Sequence, residues 1–271
     1  MTPGFYDIDN LRLLPIEKNE KKIHINVEWI SLSNLDGYYI FPNEFKPENF
    51  NQGNTGLCFF FSSLASIAGV PGLIHQLFGN INNWKKTKQF IVYLFYKNKR
   101  KEIIIKDKFP FYNMNWIWSI PAHKELFAKI LEKAYIKYKM AYGAYIKQNN
   151  NDQELLEKIY HIIYDGGDES DAMNILINSK SKIIYSLDVD SLTDSEQIFQ
   201  DIKYYLEEKK GLVTLARVFD DNQENGHSYS VIGAWNFSQG KKKKKSYVLK
   251  ILGIVALMIK KILTFILLII H

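Results

Sequence analysis

The chain has 271 residues, which exceeds the usual size of a small single domain and favours one large domain or two lobes that meet at a cleft. Apolar residues make up 46% and aromatic residues 14%, so the composition is that of a globular protein and excludes a disordered one. The net charge of +6 comes largely from basic runs at 98–101 and 241–245, which lack the interleaved aromatic residues of a nucleic-acid-binding surface. We interpret both runs as solvated loops and expect no nucleic acid partner.

Cysteine content and the N-terminus indicate the compartment. Cys58 is the only cysteine, which excludes an intramolecular disulfide and favours a reducing environment. The first residues, "MTPGFYDIDNLRLLP", lack the basic region and apolar stretch of a secretory signal. Both observations predict a cytoplasmic, intracellular protein.

The first part of the chain is predicted to pass from an extended arm to a helix and a hairpin. Residues 1–50 contain four prolines and the stretch "SLSNLDG", and we expect an N-terminal approach arm with few regular elements. From Cys58 the apolar run "CFFFSSLASIAGV" predicts a buried helix that ends at Gly69. Aromatic and β-branched runs at 88–96 and 101–106 flank a basic turn and predict a hairpin.

Helices are predicted next, and strands dominate the last part. The stretch "HKELFAKILEKAYIKYKMAYGAYI" spaces its apolar residues along one helical face, with Lys and Glu on the other, and "DQELLEKIYHIIYDGG" predicts another helix. After about residue 180, "KIIYSLDV", "GLVTLARVF" and "HSYSVIGAWNF" predict strands, interrupted by the polar helix "DSEQIFQDIKYYLEEKK". This segregation indicates an α+β fold: a helical lobe over 51–180 that carries Cys58, and an antiparallel β-rich lobe over 181–251.

The stretch "QGNTGLC" has the features of a nucleophile site. The unpaired N–H groups at a helix start favour a thiolate, so the position of Cys58 suits nucleophilic attack. Gly53 and Gly56 allow sharp turns, and Gln52 can direct its amide donor to the same space. An oxyanion would lie between the Gln52 amide and the Cys58 N–H, and one such donor contributes about 3 kcal/mol to transition-state stabilisation. The alternative is a buried small apolar residue; the glycine-rich context favours the nucleophile.

A general base for that thiol is predicted in "NGHSYSVIGAW". His227 follows a glycine at the start of an alternating strand, with Tyr229, Val231 and Gly233 on the same face. The remaining histidines lie in segments without small neighbouring residues, or at the terminus, and are interpreted as structural. We therefore expect Cys58, His227 and Gln52 to converge on one groove between the lobes.

The sequence resembles the protease core of the calpain family, a papain-like group of intracellular cysteine endopeptidases. Four collinear stretches carry the resemblance over residues 30 to 250: "QGNTGLCFFFSSLASI", "FAKILEKAYIKYKMAYGAY", "GGDESDAMN" and "GHSYSVIGAWNF". The resemblance implies a papain-like two-lobe fold and protein substrates. It also implies that Cys58 is the nucleophile, His227 the general base and Gln52 the oxyanion-hole side chain.

The sequence departs from the family pattern where the third member of the catalytic triad is expected. The family has an asparagine in a strand resembling "LKIRNPWG", and that asparagine orients the imidazole. This chain has "YVLKILGIVALMIKK", so the strand begins as expected and the asparagine is missing. The alternative function is therefore a catalytically impaired calpain-like domain that binds peptides or proteins. Leu57 and Phe59 also differ from the family, but neither position takes a proton in the mechanism.

Residues 252–271 form an anomalous hydrophobic tail. Its apolar stretch is long enough to cross a bilayer, but Lys260 and Lys261 lie at the midpoint and each costs roughly 3 kcal/mol on insertion. This disfavours membrane association. A shifted reading frame after Ile251 can restore Arg and Asn in the two following positions, and we favour that explanation; it predicts a tail without regular order and an incomplete β lobe.

Calcium is the cofactor implied by the resemblance. The family's core site uses an acidic residue shortly after the "GG" pair, which falls on Asp171 here, and a ligand near Glu48 or Asn49. The alternative role for Asp171 is a helix-capping acid. No twelve-residue EF-hand loop occurs in the sequence, so the sequence itself requires no calcium-binding domain.

Overall fold

The computed structural model describes residues 7–46, 49–143, 151–179, 181–186, 195–208, 211–218, 226–238, 245–251, 254–258 and 265–270. Its helices and antiparallel sheets form an α+β fold. The helices are α1 (Cys58–Ala68), α2 (Leu73–Gln76), α3 (Trp84–Thr87), α4 (Phe127–Tyr142), α5 (Asp152–Tyr164), α6 (Glu169–Ile177) and α7 (Ser195–Glu207).

The N-terminal arm contains more regular structure than the sequence predicted. Strands β1 (Leu13–Lys18) and β2 (Lys21–Asn26) form an antiparallel hairpin. Strand β3 (Glu28–Ser31) pairs with β6 (Lys108–Tyr112), which in turn pairs with β7 (Asn115–Trp116). The arm is thus held by strand pairing with the later segment 108–116, a long-range contact that local composition does not reveal.

The hairpin predicted near residues 88–106 is confirmed. Strands β4 (Gln89–Tyr96) and β5 (Lys99–Lys106) pair antiparallel throughout their length. Their two-residue turn, Lys97 and Asn98, has φ angles of 48° and 60°, the left-handed conformation that matches the twist of the flanking strands. The helices that the sequence predicted at Cys58, in the "LEKAY" stretch and after residue 151 are also present.

The strands of the C-terminal part form one antiparallel sheet. They are β8 (Ser181–Ser186), β9 (Leu212–Val218), β10 (Gly226–Ser238), β11 (Lys245–Ile251), β12 (Ile254–Met258) and β13 (Phe265–Ile270). Their spatial order is β12-β11-β10-β9-β13-β8. The prediction that the tail lacks order is wrong for β12 and β13, because these apolar, β-branched runs pair with β11, β9 and β8.

Helices α1 and α4 lie at the centre of the hydrophobic core. The Phe60 ring of α1 lies 4.6 Å from the Tyr135 ring of α4, measured between centroids. The face of α4 that carries Lys and Glu is also buried: Lys129, Glu132 and Lys133 are at most 1% exposed. Their charged groups bond to polar groups of other segments, so this charged face lies inside the protein.

Candidate active site

Cys58 is the first residue of α1, as the sequence predicted. Its thiol is free and its side chain is partly buried. The Leu57 carbonyl accepts the N–H groups of Phe60 and Phe61 at 3.0 Å, which closes the first turn. Among the described residues, no side chain caps this helix end.

The loop before Cys58 is held on two sides. Gly53 has a φ of 70° and lies directly against the Trp118 carbonyl, so the position requires both a left-handed conformation and the absence of a Cβ. Gly56 donates its N–H to the Ile163 carbonyl at 2.8 Å, and an added Cβ would lie 2.5 Å from the Tyr164 carbonyl oxygen. Both glycines of the "QGNTG" stretch therefore serve close backbone packing, which fixes the route of the chain into α1.

Gln52 lies in this loop with its side chain partly buried. Its amide nitrogen donates to the Thr55 carbonyl of the same loop. An amide NH₂ has two hydrogens, so this bond orients the group and leaves a second donor. Gln52 thus has an orienting partner at the start of the helix that carries the thiol.

His227 is the second residue of β10, and its Cα lies opposite Arg217 of β9. Its ring contacts that of Tyr229, with centroids 4.8 Å apart, on the same strand face. Although the side chain reaches solvent, desolvation by the surrounding protein lowers the pKa of the imidazole. The neutral form is therefore favoured, and that form can accept a proton.

Polar contacts join helix α1 to strand β10, and they follow one another in order along both elements. The Ser66 and Ser230 hydroxyls lie 2.8 Å apart, and Ser66 donates to the Val213 carbonyl at 3.1 Å. One turn earlier in α1, the Ser63 hydroxyl lies 3.5 Å from the Glu169 carbonyl oxygen. The Glu169 side chain in turn hydrogen-bonds Ser228 of β10.

This order places Cys58 and His227 toward the same end of the helix–strand packing. Moving from Ser66 to Ser63 along α1 corresponds to moving from Ser230 to Ser228 along β10. Cys58 lies about 7.5 Å further along the helix in that direction, and His227 follows Ser228 in the same direction.

Glu169 is a buried carboxyl group that sequence analysis missed. It is 8% exposed, and burial raises its pKa, with the Ser228 hydrogen bond as an opposing effect. It links the start of α6 to the strand that carries His227. The "GGDESD" stretch was the available signal, but only its Asp171 was interpreted, as a calcium ligand or a helix-capping acid.

The strand expected beside β10 is present, and the asparagine position falls outside the described residues. β11 pairs with β10, and Ile251 lies opposite Val231, four residues from His227. Residues 252–253, where the asparagine is expected, are not among the described residues. Glu48, a residue near the expected calcium site, also lies outside them.

The described residues do not fit a calcium ion at Asp171. Its carboxylate lies 3.0 Å from the Lys139 ammonium, so a cation already neutralises it. Asn49 directs its amide nitrogen to Glu125 at 3.0 Å. The residue that caps α6 is Asp168, whose carboxylate accepts the Asp171 N–H at 3.1 Å. The capping role proposed for Asp171 therefore belongs to Asp168. Among the described residues, no three His, Cys, Asp or Glu side chains converge on a metal position.

A thiol at the start of a buried helix, packed against a strand that carries a histidine, is an arrangement typical of thiol proteases. The sequence profile described as "Calpain family cysteine protease" matches residues 9–252, nearly the whole chain. The chain therefore belongs to the calpain family of cysteine proteases. Within the described part of the chain, no helix has both the length and the apolar character needed to cross a bilayer.

Proposed function

We propose that the protein is a calpain-like cysteine endopeptidase in which Cys58 is the nucleophile and His227 the general base. The observation that supports this assignment is the packing of α1 on β10, in which Cys58 lies beyond the Ser63 contact and His227 beyond the Ser228 contact. Membership of the calpain family supports protein substrates. A cytoplasmic location is part of the proposal and rests on the sequence alone.

The proposed reaction passes through two tetrahedral intermediates. His227 takes the proton of Cys58, and the thiolate attacks the carbonyl carbon of the scissile peptide bond. The Gln52 amide and the Cys58 N–H donate to the oxyanion. His227 then protonates the leaving amine, the C–N bond breaks, and a thioester remains. Water, deprotonated by His227, attacks the thioester and releases the carboxylic acid and the thiol.

The second candidate function is binding of peptides or proteins without turnover. It is favoured by the sequence of β11, which enters the strand as "KSYVLKI" and continues without the asparagine that the family uses to orient the imidazole. Loss of that orientation in a triad costs several orders of magnitude in turnover, while substrate binding persists.

Labelling and turnover distinguish the two functions. A thiol-reactive peptidyl epoxide is expected to modify Cys58 in the folded protein, as measured by peptide mass spectrometry, and to leave Cys58→Ala unmodified. Casein cleavage is expected to disappear in Cys58→Ala and His227→Gln. His24→Gln, which changes an exposed histidine of β2, is the matched control and should retain activity. Peptide binding with no cleavage by the wild type would assign the binding function instead.

Calcium dependence stays a prediction from the family resemblance. Cleavage rates in excess chelator and in millimolar calcium test it. A rate that is the same in both conditions would remove calcium from the proposal, in agreement with the Lys139–Asp171 pair.

A further inference from the structure

The loop that carries Gln52 rests on residues 117–120. Ile120 donates its N–H to the Asn51 carbonyl at 2.9 Å, and the Trp118 carbonyl lies against Gly53. These contacts flank Gln52 on both sides in the sequence. Any movement of residues 117–120 therefore moves the backbone that presents the Gln52 amide.

Residues 117–120 are in turn fixed by two charged side chains of α4. The Lys129 ammonium donates to the carbonyls of Ile117 and Ser119, each at 2.8 Å. The Glu132 carboxylate accepts the Ser119 N–H, with both oxygens at 3.1 Å, and the Ser119 hydroxyl at 2.5 Å. All three polar groups of Ser119 are thus bound by these two charged side chains.

The conformation of this segment requires such support. Trp118 has a φ of 67°, a left-handed conformation that a bulky residue adopts only where its surroundings enforce it. The bonds that hold it come from the residues on either side, Ile117 and Ser119. Trp118 is also the residue whose carbonyl lies against Gly53, so the strained residue is the one that contacts the loop.

Stability does not account for two buried charged side chains at this place. Lys129 and Glu132 are at most 1% exposed, and desolvation of two buried charges offsets most of their attraction. Apolar residues of similar volume often stabilise such sites equally well. The feature that apolar residues could not reproduce is the orientation of the backbone of residues 117–120.

We propose that Glu132, together with Lys129, is a positioning residue for oxyanion stabilisation. It acts through Ser119, Ile120 and Asn51 to set the position of the Gln52 amide. The inference rests on the proposed endopeptidase function, because that function gives Gln52 its role. Glu132 does not touch substrate; its effect is on the donor that meets the oxyanion.

The test separates oxyanion chemistry from thiol reactivity. Hydrolysis of a peptide amide requires the oxyanion hole, whereas alkylation of Cys58 by iodoacetamide displaces iodide without a tetrahedral intermediate. Glu132→Gln keeps the size of the side chain, and Ser119→Ala removes only the hydroxyl. Both variants are expected to lower kcat by about tenfold or more, with KM and the alkylation rate within about twofold of wild type.

A buried lysine on the same helix provides the control. Lys137 donates to the Ile104 carbonyl at 2.9 Å in the β4–β5 hairpin, away from residues 117–120. Lys137→Met is therefore expected to retain the wild-type kcat. Thermal unfolding of each variant establishes that it is folded at the assay temperature. A kcat near wild type in both Ser119→Ala and Glu132→Gln, or an equal loss of kcat in Lys137→Met, would overturn the proposal.

Hydrogen exchange tests the structural link without relying on turnover. Peptides that cover residues 51–57 are expected to exchange faster in Ser119→Ala than in wild type, while peptides from α1 are unchanged. Unchanged exchange at 51–57 would contradict the link. A wild type that neither cleaves nor is alkylated at Cys58 would instead refute the proposed function, and the exchange data would then decide the link alone.

Discussion

Helices α1 and α4 are both buried, yet α1 contains no charged side chain and α4 contains several. The eleven residues of α1 include no charged side chain, and hydroxyls such as Ser62 bond to a carbonyl of the same helix. The sixteen residues of α4 include buried charged groups that bond to carbonyls of other segments. Burial of a helix therefore depends on the hydrogen-bonding groups that surround it as much as on its hydropathy. In this protein, α1 supplies the thiol and α4 supports the loop beside it.

The largest expected effect is the loss of one partner from the buried ion pair of Lys133. Its ammonium lies 2.5 Å from the Asp9 carboxylate, and both side chains are at most 1% exposed. Lys133→Met removes the ammonium that contacts this buried carboxylate, so the free energy of unfolding should fall by about 3–5 kcal/mol. Urea unfolding measures this change.

Two further variants complete that experiment. Asp9→Asn combined with Lys133→Met removes both charges and should recover part of the loss. Ser62→Ala in α1 removes a hydroxyl bonded within its own helix and should cost about 1 kcal/mol or less. If Lys133→Met lowered the free energy of unfolding no more than Ser62→Ala does, the claim that the buried charges of α4 depend on partners in other segments would be contradicted.

The pH dependence of stability is the next largest effect. Burial raises the pKa of Glu132 to about 7, against an ordinary value of 4.5. Between these values the folded protein binds more protons than the unfolded chain, so the Glu132 contribution decreases as pH rises from about 4.5 to about 7. Since one pKa unit corresponds to about 1.4 kcal/mol, the decrease is about 3 kcal/mol.

Lys129 has the opposite effect on stability, which it makes rise with pH at higher pH. Burial lowers its pKa to about 8, so the unfolded chain binds more protons above that value and stability rises toward pH 10.

Urea unfolding across pH should show a smaller decrease between pH 4.5 and 7 in Glu132→Gln than in wild type. Parallel curves for the two proteins would mean that Glu132 titrates normally in the fold.

A smaller effect is expected from the glycines at the two ends of α1. A Cβ at Gly56 would lie 2.5 Å from the Tyr164 carbonyl oxygen, whereas one at Gly69 would lie 3.2 Å from that of Ser66. Gly56→Ala must displace backbone and should cost about 1–3 kcal/mol. Gly69 has helical dihedral angles, so Gly69→Ala should stay within about 1 kcal/mol of wild type. Equal melting temperatures for the two variants would show that the loop before Cys58 is not tightly packed.

The difference between local and long-range contacts explains how far the sequence could predict the fold. The apolar run from Cys58 to Ala68, ended by Gly69, gave a correct helix because its signals are local. The hairpin of β4 and β5 was predictable for the same reason. The pairing of β3 with β6 was missed, because it joins segments about 80 residues apart and leaves no local pattern.

The sequence singles out candidate site residues, whose roles stay predictions, and it does not reveal the residues that support them. Cys58, Gln52 and His227 are in short motifs with recognisable spacing. The roles of Glu132 and Ser119 depend on which loop carbonyls meet α4, and only the fold supplies that information.

The most direct test of the central claim is the rate of Cys58 alkylation by iodoacetamide at pH 6 in wild type, His227→Gln and His24→Gln. An ordinary thiol is almost wholly protonated at this pH and reacts slowly, whereas a thiol that transfers its proton to a nearby imidazole reacts as thiolate. We expect wild type and His24→Gln to react at least about tenfold faster than His227→Gln. Equal rates in all three proteins would contradict the pairing of Cys58 with His227.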